Sequence, residues 1–364
     1  MIPLVDLKAN YLPLAKDIAV GFERVCNDTA FILGTDVKEF EKEYAAFIGA
    51  KHCIGVANGT DALELALRAA GLQHGDEVLV PTNSFIASAL AVARAGGQVK
   101  LVDCDDDYLI DLESCAKAVT PRTKFIMPVH LFGQCAPMQK VADFAKAHKL
   151  AVVEDAAQAQ GAKQNNRTAG TFGIAAGTSF YPGKNLGAYG DGGAITTDDD
   201  AVAQKLRALR NYGSEVKYHH PETGFNSRLD TLQAVVLRTK LKHLSDYNAK
   251  RRAAAERYQV MLKEVSGVGL PRTVSGNEHI WHIYAVRVHK RDAVMKSLQE
   301  QKIGAGIHYP VPIHLQGAFK SLGHKAGDFP KAEAAANEMI SLPMYPELTT
   351  AQAEQVVGAL RKAL

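Results

Sequence analysis

The sequence lacks the features that would mark a membrane-spanning, secreted or nucleic-acid-binding protein. No uninterrupted apolar stretch approaches the ~20 residues that a bilayer-spanning helix needs, and no Lys/Arg-rich run accompanies the formal net charge of +3. The opening residues, MIPLVDLKANYLPL, contain no basic region followed by an apolar segment, so we expect no signal peptide. These absences argue against a membrane span and against partners such as nucleic acid or an anionic membrane.

Cysteine is scarce, and its distribution argues against a disulfide framework. The five cysteines are odd in number, widely scattered and free of any CxxC pair, which predicts reduced thiols and a cytoplasmic location. Thirteen histidines are present, but neither an HExxH motif nor a Cys/His cluster at zinc spacing occurs. We therefore predict no metal site.

Apolar, β-rich runs alternate with helical patterns between about residues 55 and 180. The predicted strands are 77–81, 98–105, 124–131, 151–156 and 177–182. Strands separated by helices predict right-handed βαβ units, and hence an α/β fold with a mostly parallel central sheet flanked by helices. The segment 157–176 breaks this rhythm with Asn-Asn and several glycines, so we interpret it as a loop with short irregular structure.

A helical pattern of some 37 residues follows Asn226, from LDTLQAVV to VMLKEV. It is too long for one ordinary globular helix, so we expect a bend near Asp246. A strand-like run, IWHIYAVRV (280–288), and a helix (292–302) come next. The pattern predicts a large domain over 1–245 and a small α+β domain over 246–364.

The stretch SFYPGKNLGAYGDGGA, residues 179–194, places one lysine, Lys184, among five glycines and a proline. It is not a Walker A loop, because Asn185 follows the Gly-Lys pair and Thr178 occupies the first glycine position. It is not a dinucleotide fingerprint either, since Ile195 stands where the third glycine is needed. Neither ATP nor NAD is supported. The simplest interpretation is a solvated loop, unless distant residues join Lys184 in one site.

The sequence offers two features that could join Lys184 in one site: the start of a helix and the end of a strand. The segment NGTDALELALRAAG (58–71) begins a helix with Gly59 and Thr60, and a helix N-terminus with a hydroxyl can bind phosphate. Asp155 ends a predicted strand, and ligands of open α/β sheets bind at the carboxyl ends of strands. A simple helix cap at Asn58 or Thr60, and a turn aspartate at position 155, remain alternatives.

A lysine amine, a carboxylate and a phosphate cradle are the groups that pyridoxal 5′-phosphate requires. The amine condenses with the cofactor aldehyde, and the carboxylate keeps the pyridine nitrogen protonated. The phosphate anchors the cofactor during exchange of the imine partner. We expect the glycines after Lys184 to let the backbone approach the cofactor closely.

Four motifs in this order resemble the sugar-nucleotide aminotransferases of the DegT family, which are fold-type-I pyridoxal-phosphate enzymes. They are NGTDAL at 58–63, EDAAQ at 154–158, SFxPGKNLGxYGDGGA at 179–194 and NSRLDTLQA at 226–234. The resemblance extends from IPLVDL to SLPMYPELT, essentially the whole chain. It implies that the large domain, 1–245, binds the cofactor.

The resemblance implies roles for individual residues around the cofactor ring. Lys184 would bind the cofactor covalently and then move protons between the substrate carbon and the cofactor. Asp155 would pair with the pyridinium nitrogen, Gln158 would bond to the ring hydroxyl, and Phe85 would stack on the ring.

The resemblance also implies how the phosphate is held. Gly59, Thr60 and Ser179 would bind it from the same chain, and Asn226 would reach it from the neighbouring subunit. A homodimer with shared active sites follows. Because some relatives carry histidine at the lysine position and are dehydratases, the retained Lys184 favours transamination.

The segment GAGIHYPVPIHLQGAF (304–319) resembles members that aminate C-3 of a dTDP-linked 3-keto-6-deoxyhexose, with glutamate as amino donor. By this resemblance His308 and Tyr309 would line the sugar or nucleotide site, Arg228 would pair with the diphosphate, and Tyr181 would touch substrate. A structural histidine at 308 and a surface salt bridge at 228 are alternatives. A UDP-linked 3-keto uronate, a 4-keto sugar nucleotide, a dehydratase and a non-catalytic cofactor-binding protein remain open as alternative functions.

Overall fold

The computed structural model describes residues 1–364 and contains thirteen α-helices and thirteen strands. The helices are α1 Leu7–Tyr11, α2 Ala15–Asn27, α3 Thr35–Ile48, α4 Gly59–Ala69, α5 Ile86–Ala95, α6 Leu112–Ala118, α7 Met138–His148, α8 Asp200–Leu209, α9 Thr231–Leu241, α10 Leu244–Leu262, α11 Arg291–Glu300, α12 Pro330–Glu338 and α13 Thr350–Ala363. The strands are β1 His52–Val56, β2 Glu77–Pro81, β3 Gln98–Val102, β4 Thr123–Ile126, β5 Ala151–Asp155, β6 Lys163–Gln164, β7 Arg167–Thr168, β8 Ala175–Ser179, β9 Gly193–Thr197, β10 Val268–Gly269, β11 Asn277–Glu278, β12 Tyr284–Val288 and β13 Met339–Leu342. None of these helices is both long enough and apolar enough to cross a lipid bilayer.

Seven strands form the central sheet in the order β1-β9-β8-β5-β4-β2-β3. The pairs from β8 to β3 are parallel, whereas β9 runs antiparallel to both β8 and β1. The predicted α/β fold with a mostly parallel sheet is confirmed. The sequence rhythm missed β1 and β9, because the glycine-rich segment that joins β8 to β9 contains no helix to mark a crossover.

The predicted strands are present, but four are shorter at their carboxyl ends than expected, the one predicted at 151–156 by a single residue. The strand predicted at 124–131 ends at Ile126, because Pro128 lacks the N–H that a continuing ladder needs. The one predicted at 177–182 ends at Ser179, before Pro182. The one predicted at 98–105 ends at Val102. At these ends the chain leaves the sheet, and it is there that the site residues lie.

The long helical pattern after Asn226 divides into α9 and α10. The break falls at residues 242–243, slightly before the predicted bend at Asp246. The segment 157–176 is largely loop, as predicted, and contains only the two-residue strands β6 and β7. Strand β11 pairs with β6 and so connects this loop to the C-terminal part of the chain.

A second sheet, β10-β12-β13, and a second apolar core lie in the C-terminal part. That core draws on α10, α11 and α13 and also contains Ile2, whose backbone N–H donates to Lys302 O at 3.0 Å. The N-terminal residues therefore pack against the C-terminal part. The division at 245/246 stays a prediction.

Candidate active site

A cavity of about 860 Å³ opens at the carboxyl ends of the central strands and is closed on one side by the C-terminal part of the chain. Ten of the twelve predicted site residues line it: Gly59, Thr60, Phe85, Asp155, Gln158, Ser179, Tyr181, Lys184, His308 and Tyr309. The remaining two, Asn226 and Arg228, lie outside it. The fold therefore gathers residues that are up to 250 positions apart in the sequence.

The N-terminus of α4 forms one wall of the cavity. Asn58 caps this helix by accepting the Asp61 N–H at 2.9 Å, and the N–H groups of Gly59 and Thr60 have no acceptor within the chain. A Cβ added to Gly59 would lie 2.6 Å from Ser179 Cβ, so glycine is needed for this close approach. Free N–H groups beside two hydroxyls form an anion site that suits a phosphate group.

Asp155, at the end of β5, is buried and held by two hydrogen bonds. Its Oδ2 accepts the Ser88 hydroxyl at 2.7 Å, and its Oδ1 accepts the Ala157 N–H at 3.1 Å. The Ser88 oxygen lies 2.7 Å from the Ser84 oxygen, so Ser84 donates to it. Burial raises the pKa of Asp155, while Ser88 and Lys184 oppose the shift. A carboxylate in this position favours a cationic N–H partner.

Lys184 lies in a tight turn in which its N–H donates to Tyr181 O at 2.8 Å. Burial lowers the pKa of the Lys184 amine to about 8, although Asp155 opposes the shift. More of the amine is therefore uncharged near neutral pH than in an ordinary lysine, although the charged form still predominates. The uncharged form is the one that attacks a carbonyl carbon. The Nζ atom has no hydrogen-bond partner within the chain and faces the cavity.

Two of the glycines after Lys184, Gly187 and Gly193, are needed for packing within the protein and not for approach to a cofactor. A Cβ on Gly187 would lie 2.2 Å from Pro182 O, and one on Gly193 would lie 2.4 Å from the backbone of Asn58. These glycines let the loop pack against the protein itself. Only Gly183 and Gly192 line the cavity.

Gln158 and Phe85 both contact Tyr309. The Gln158 amide donates to the Tyr309 hydroxyl at 3.0 Å, and its Oε1 accepts the Phe132 N–H at 2.7 Å. The ring centroids of Phe85 and Tyr309 are 5.3 Å apart, and Phe85 is 52% exposed, so its ring is accessible from the cavity. The roles predicted for Gln158 and Phe85 at the cofactor ring remain predictions.

Asn226 and Arg228 do not line the cavity of their own chain, although Ser227 between them donates to Asp61 in the first turn of α4 at 2.8 Å. Asn226 forms an isolated bridge with Asn211, and Arg228 donates to Asn211 Oδ1 at 3.1 Å while its guanidinium lies 5.4 Å from the Tyr212 ring centroid. The roles predicted for Asn226 and Arg228 at the phosphate and the diphosphate therefore stay predictions.

Sequence reasoning missed Ser88 and His282. Ser88 is fully buried in the first turn of α5, and nothing in IASALAVARA sets it apart from a core serine. His282 lines the cavity but belongs to the run IWHIYAVRV (280–288), whose pattern predicts only a strand. The strand itself, β12, begins at Tyr284, so His282 lies just before it. Burial, with Lys184 and Arg251 nearby, places the pKa of His282 well below its usual value, so its ring is neutral.

The donor set of the cavity fits pyridoxal 5′-phosphate. The free N–H groups of α4 suit its phosphate, the fixed carboxylate of Asp155 suits its pyridinium nitrogen, and the Lys184 amine suits its aldehyde. The observation that supports this fit is at Gly59, where any side chain would fill the space next to Ser179 in which the phosphate would bind.

Comparison with known proteins agrees with this chemistry. A model described as the DegT/DnrJ/EryC1/StrS aminotransferase family matches residues 14–361. The chain is 43% identical to the dTDP-3-amino-3,4,6-trideoxy-alpha-D-glucose transaminase of Streptomyces venezuelae, over 99% of this chain and 96% of the relative. It is 44% identical to the UDP-N-acetyl-3-dehydro-alpha-D-glucosamine 3-aminotransferase of Acidithiobacillus ferrooxidans, over 100% and 98%.

A solved structure supports the same assignment of the fold. The structure of S. venezuelae DesV in complex with a ketimine intermediate superposes with a TM-score of 0.97 at 43% identity, and it covers 99% of this chain and 98% of that one.

Proposed function

Because the chain belongs to the DegT/DnrJ/EryC1/StrS aminotransferase family, we propose that it transfers an amino group from glutamate to C-3 of a dTDP-linked 3-keto-6-deoxyhexose. The family consists of sugar-nucleotide aminotransferases that depend on pyridoxal 5′-phosphate. The proposal concerns the substrate and the residues that handle it.

The observation that carries the proposal is the convergence of Lys184, Asp155 and the α4 N-terminus on one cavity. The cofactor, when bound, supplies an electron sink for the carbon that loses its proton. In this proposal Asp155 holds the proton on the pyridine nitrogen, and the Lys184 amine carries the proton of the substrate carbon. The α4 N–H groups fix the phosphate so that the cofactor stays in place throughout.

Support for a 3-keto sugar comes from the relatives and from the cavity wall. The names of both relatives place the amino group at position 3 of the sugar. One name gives a dTDP-linked sugar and the other a UDP-linked sugar. We propose that His308, Tyr309 and Tyr181, which line the cavity, bind the sugar. The His308 ring is held by a 2.8 Å hydrogen bond to Ser341, and burial lowers the pKa of His308 to about 4, so it meets the sugar as a neutral group.

Nucleotide choice is expected to be less strict than the choice of keto position. A contact to the thymine methyl discriminates by only ~1–3 kcal/mol, whereas polar groups left unpaired against a wrong sugar impose a larger penalty. A UDP-linked 3-keto sugar, such as a uronate, is therefore the main alternative substrate. A dehydratase is disfavoured by the retained Lys184, and a non-catalytic cofactor-binding protein is disfavoured by the complete set of four matching motifs.

We propose a homodimer in which Asn226 and Arg228 complete the site of the partner, at the phosphate and at the nucleotide diphosphate. The exposed apolar side chains of the N-terminal region, including Tyr11, Leu12 and Val20, offer a surface that a second copy would cover. We also propose a cytoplasmic location, since all five cysteines are unpaired, as in a reducing compartment.

The substrate is tested by offering dTDP- and UDP-linked 3-keto and 4-keto sugars with glutamate and identifying products by mass spectrometry. The highest kcat/KM is expected for a dTDP-3-keto-6-deoxyhexose. A higher kcat/KM for a 4-keto sugar than for every 3-keto sugar would refute the C-3 assignment. A preference for a UDP-linked 3-keto uronate would preserve C-3 but overturn the proposed sugar.

A further inference from the structure

A chain of amide hydrogen bonds lies directly behind Lys184. The Asn248 amide donates to Gln160 O at 3.0 Å. The Asn185 amide donates to Asn248 Oδ1 at 2.9 Å and to Ile280 O at 3.1 Å. Backbone carbonyls can only accept hydrogen bonds, so both ends of this chain fix the direction of every amide within it.

These amide hydrogen bonds determine which ring nitrogen of His282 carries the proton. Because both Asn185 N–H groups are used, the atom that faces His282 Nδ1 at 3.2 Å is Asn185 Oδ1. An amide oxygen only accepts, so Nδ1 is the protonated nitrogen. The ring is neutral, and its Nε2 therefore keeps a free lone pair.

The backbone around His282 is also held in place. The buried Arg251 guanidinium donates to the carbonyl oxygens of Trp281, His282 and Met344, at 3.2, 3.4 and 2.9 Å. The ring is thus fixed through Asn185 on one side and through its main chain on the other.

Lys184 carries a hydrogen-bond donor without an acceptor, and His282 carries an acceptor without a donor. Lys184 Nζ has N–H groups but no acceptor within the chain, and His282 Nε2 has a lone pair but no donor. Both residues line the cavity, and the His282 ring bonds to Asn185, the residue that directly follows Lys184. The other charged or titratable groups acting on this ring are Arg251, His308 and His279. The carboxylate that acts on Lys184 is Asp155, and both of its oxygens already accept hydrogen bonds, from the Ser88 hydroxyl and from the Ala157 N–H.

We propose that His282 is a positioning residue for Lys184. Its Nε2 accepts one N–H of the Lys184 amine when that amine has no covalent partner, and so aims the amine lone pair at the substrate carbon. The inference rests on the proposed function, which makes Lys184 the proton carrier. Asn185 contributes by holding the ring in the tautomer that leaves Nε2 unprotonated.

Two substitutions of His282 separate this role from a structural one. In His282→Gln the side-chain oxygen can replace Nε2 as the acceptor, whereas in His282→Asn the amide can replace only the Nδ1 donor that bonds to Asn185. We expect kcat of His282→Asn to fall on the order of 10- to 100-fold, since a hydrogen bond to a charged or reacting group is lost. We expect His282→Gln to restore most of kcat, with KM for glutamate and cofactor retention by absorbance little changed in both variants.

Equal activity of both variants, at the wild-type or at a reduced level, would overturn the proposal, because only one of them keeps the acceptor. Nitrogen-15 NMR of histidine-labelled, cofactor-loaded enzyme provides a readout that does not depend on turnover. The resonance lost in His282→Gln is expected to show a protonated Nδ1 and an unprotonated Nε2, and the opposite tautomer would overturn the proposal. Retained turnover in Lys184→Ala would instead refute the proposed function, while the tautomer assignment would stand.

Discussion

At the residue scale, Lys184 and Asp155 influence one another's charge across the cavity. Burial raises the pKa of the carboxyl and lowers the pKa of the amine, and each partner partly reverses the shift of the other. A cationic cofactor nitrogen at Asp155 and an uncharged amine at position 184 would relieve both desolvation costs. The pair therefore suits the cofactor better than it suits an empty cavity.

Lys184→Ala is expected to abolish turnover, because alanine provides neither the amine that binds the cofactor nor the carrier of the proton. Amino-group transfer from glutamate, followed by mass spectrometry, checks this expectation, with the thermal unfolding midpoint as a control for folding. Rates close to those of the wild type would exclude the proposed role of Lys184.

Asp155→Asn is expected to reduce the rate by several orders of magnitude while leaving the fold largely intact. A neutral amide cannot hold the pyridine nitrogen in its protonated form. Ser88→Ala serves as the matched variant: it removes one hydrogen bond from the carboxylate but keeps its charge, so a smaller loss is expected. Full activity of Asp155→Asn in steady-state assays would remove this carboxylate from the mechanism.

The rate of covalent attachment of pyridoxal 5′-phosphate to the apoenzyme is expected to rise with pH through about 8, the pKa of the Lys184 amine. The sign follows because only the deprotonated amine is nucleophilic. Asp155 raises the pKa of Lys184, so the inflection should move to lower pH in Asp155→Asn. Stopped-flow absorbance measures both profiles; an inflection near the ordinary lysine pKa of ~10.4 would contradict the expectation.

At the scale of elements, the carboxyl end of β5 is fixed by a buried carboxylate next to Asp155. Glu154 accepts N–H groups of Gly170, Phe172 and Gly173 at 2.6–2.8 Å, and it accepts the Nε2–H of His130 at 2.8 Å. These bonds tie the irregular segment after β5 back onto the strand. The position of Asp155 thus depends on a loop as well as on the sheet.

Gly59→Ala is expected to weaken binding of pyridoxal 5′-phosphate, because the new methyl group would collide with Ser179 at the N-terminus of α4. Binding of pyridoxal, which has no phosphate, should change much less. Equilibrium titration of the apoenzyme with both compounds measures the difference, and an equal loss for the two would argue against a phosphate cradle.

Gly358→Ala is the matched control for this substitution. Gly358 lies within α13, and a Cβ there would meet nothing within 4 Å. Cofactor affinity should be unchanged, and stability should rise by roughly 0.5–1 kcal/mol because alanine favours the helix.

At the scale of the whole molecule, the proposed dimer predicts complementation between two inactive variants. One variant carries Lys184→Ala. The other carries Asn226→Asp, which places a negative charge near the phosphate, together with Arg228→Ala. In a refolded 1:1 mixture, half of the dimers are mixed and each regains one competent site, so activity should reach roughly one quarter of the wild-type value. Activity that does not exceed that of either parent would argue against shared sites.

The cofactor chemistry could be predicted from the sequence because it resides in short local motifs. Gly59, Asp155 and Lys184 each lie in such a motif. The βαβ rhythm places the motifs of Asp155 and Lys184 at the carboxyl edge of one sheet, whereas Gly59 follows β1, which the rhythm did not reveal. The same rhythm predicted the parallel strands, since each is marked by a crossover helix. It could not reveal β1 and β9, whose antiparallel pairing depends on contacts between distant segments.

Only the tertiary structure decided which further residues surround Lys184 and how they are held. Ser88 resembles any core serine in its helix, and His282 resembles any strand histidine in its run. Their places depend on packing across more than 60 and nearly 100 residues of chain, respectively, onto Asp155 and Asn185. Hydrogen-bond direction and burial, which set the tautomer of His282 and the pKa of Lys184, arise only when distant segments exclude water together.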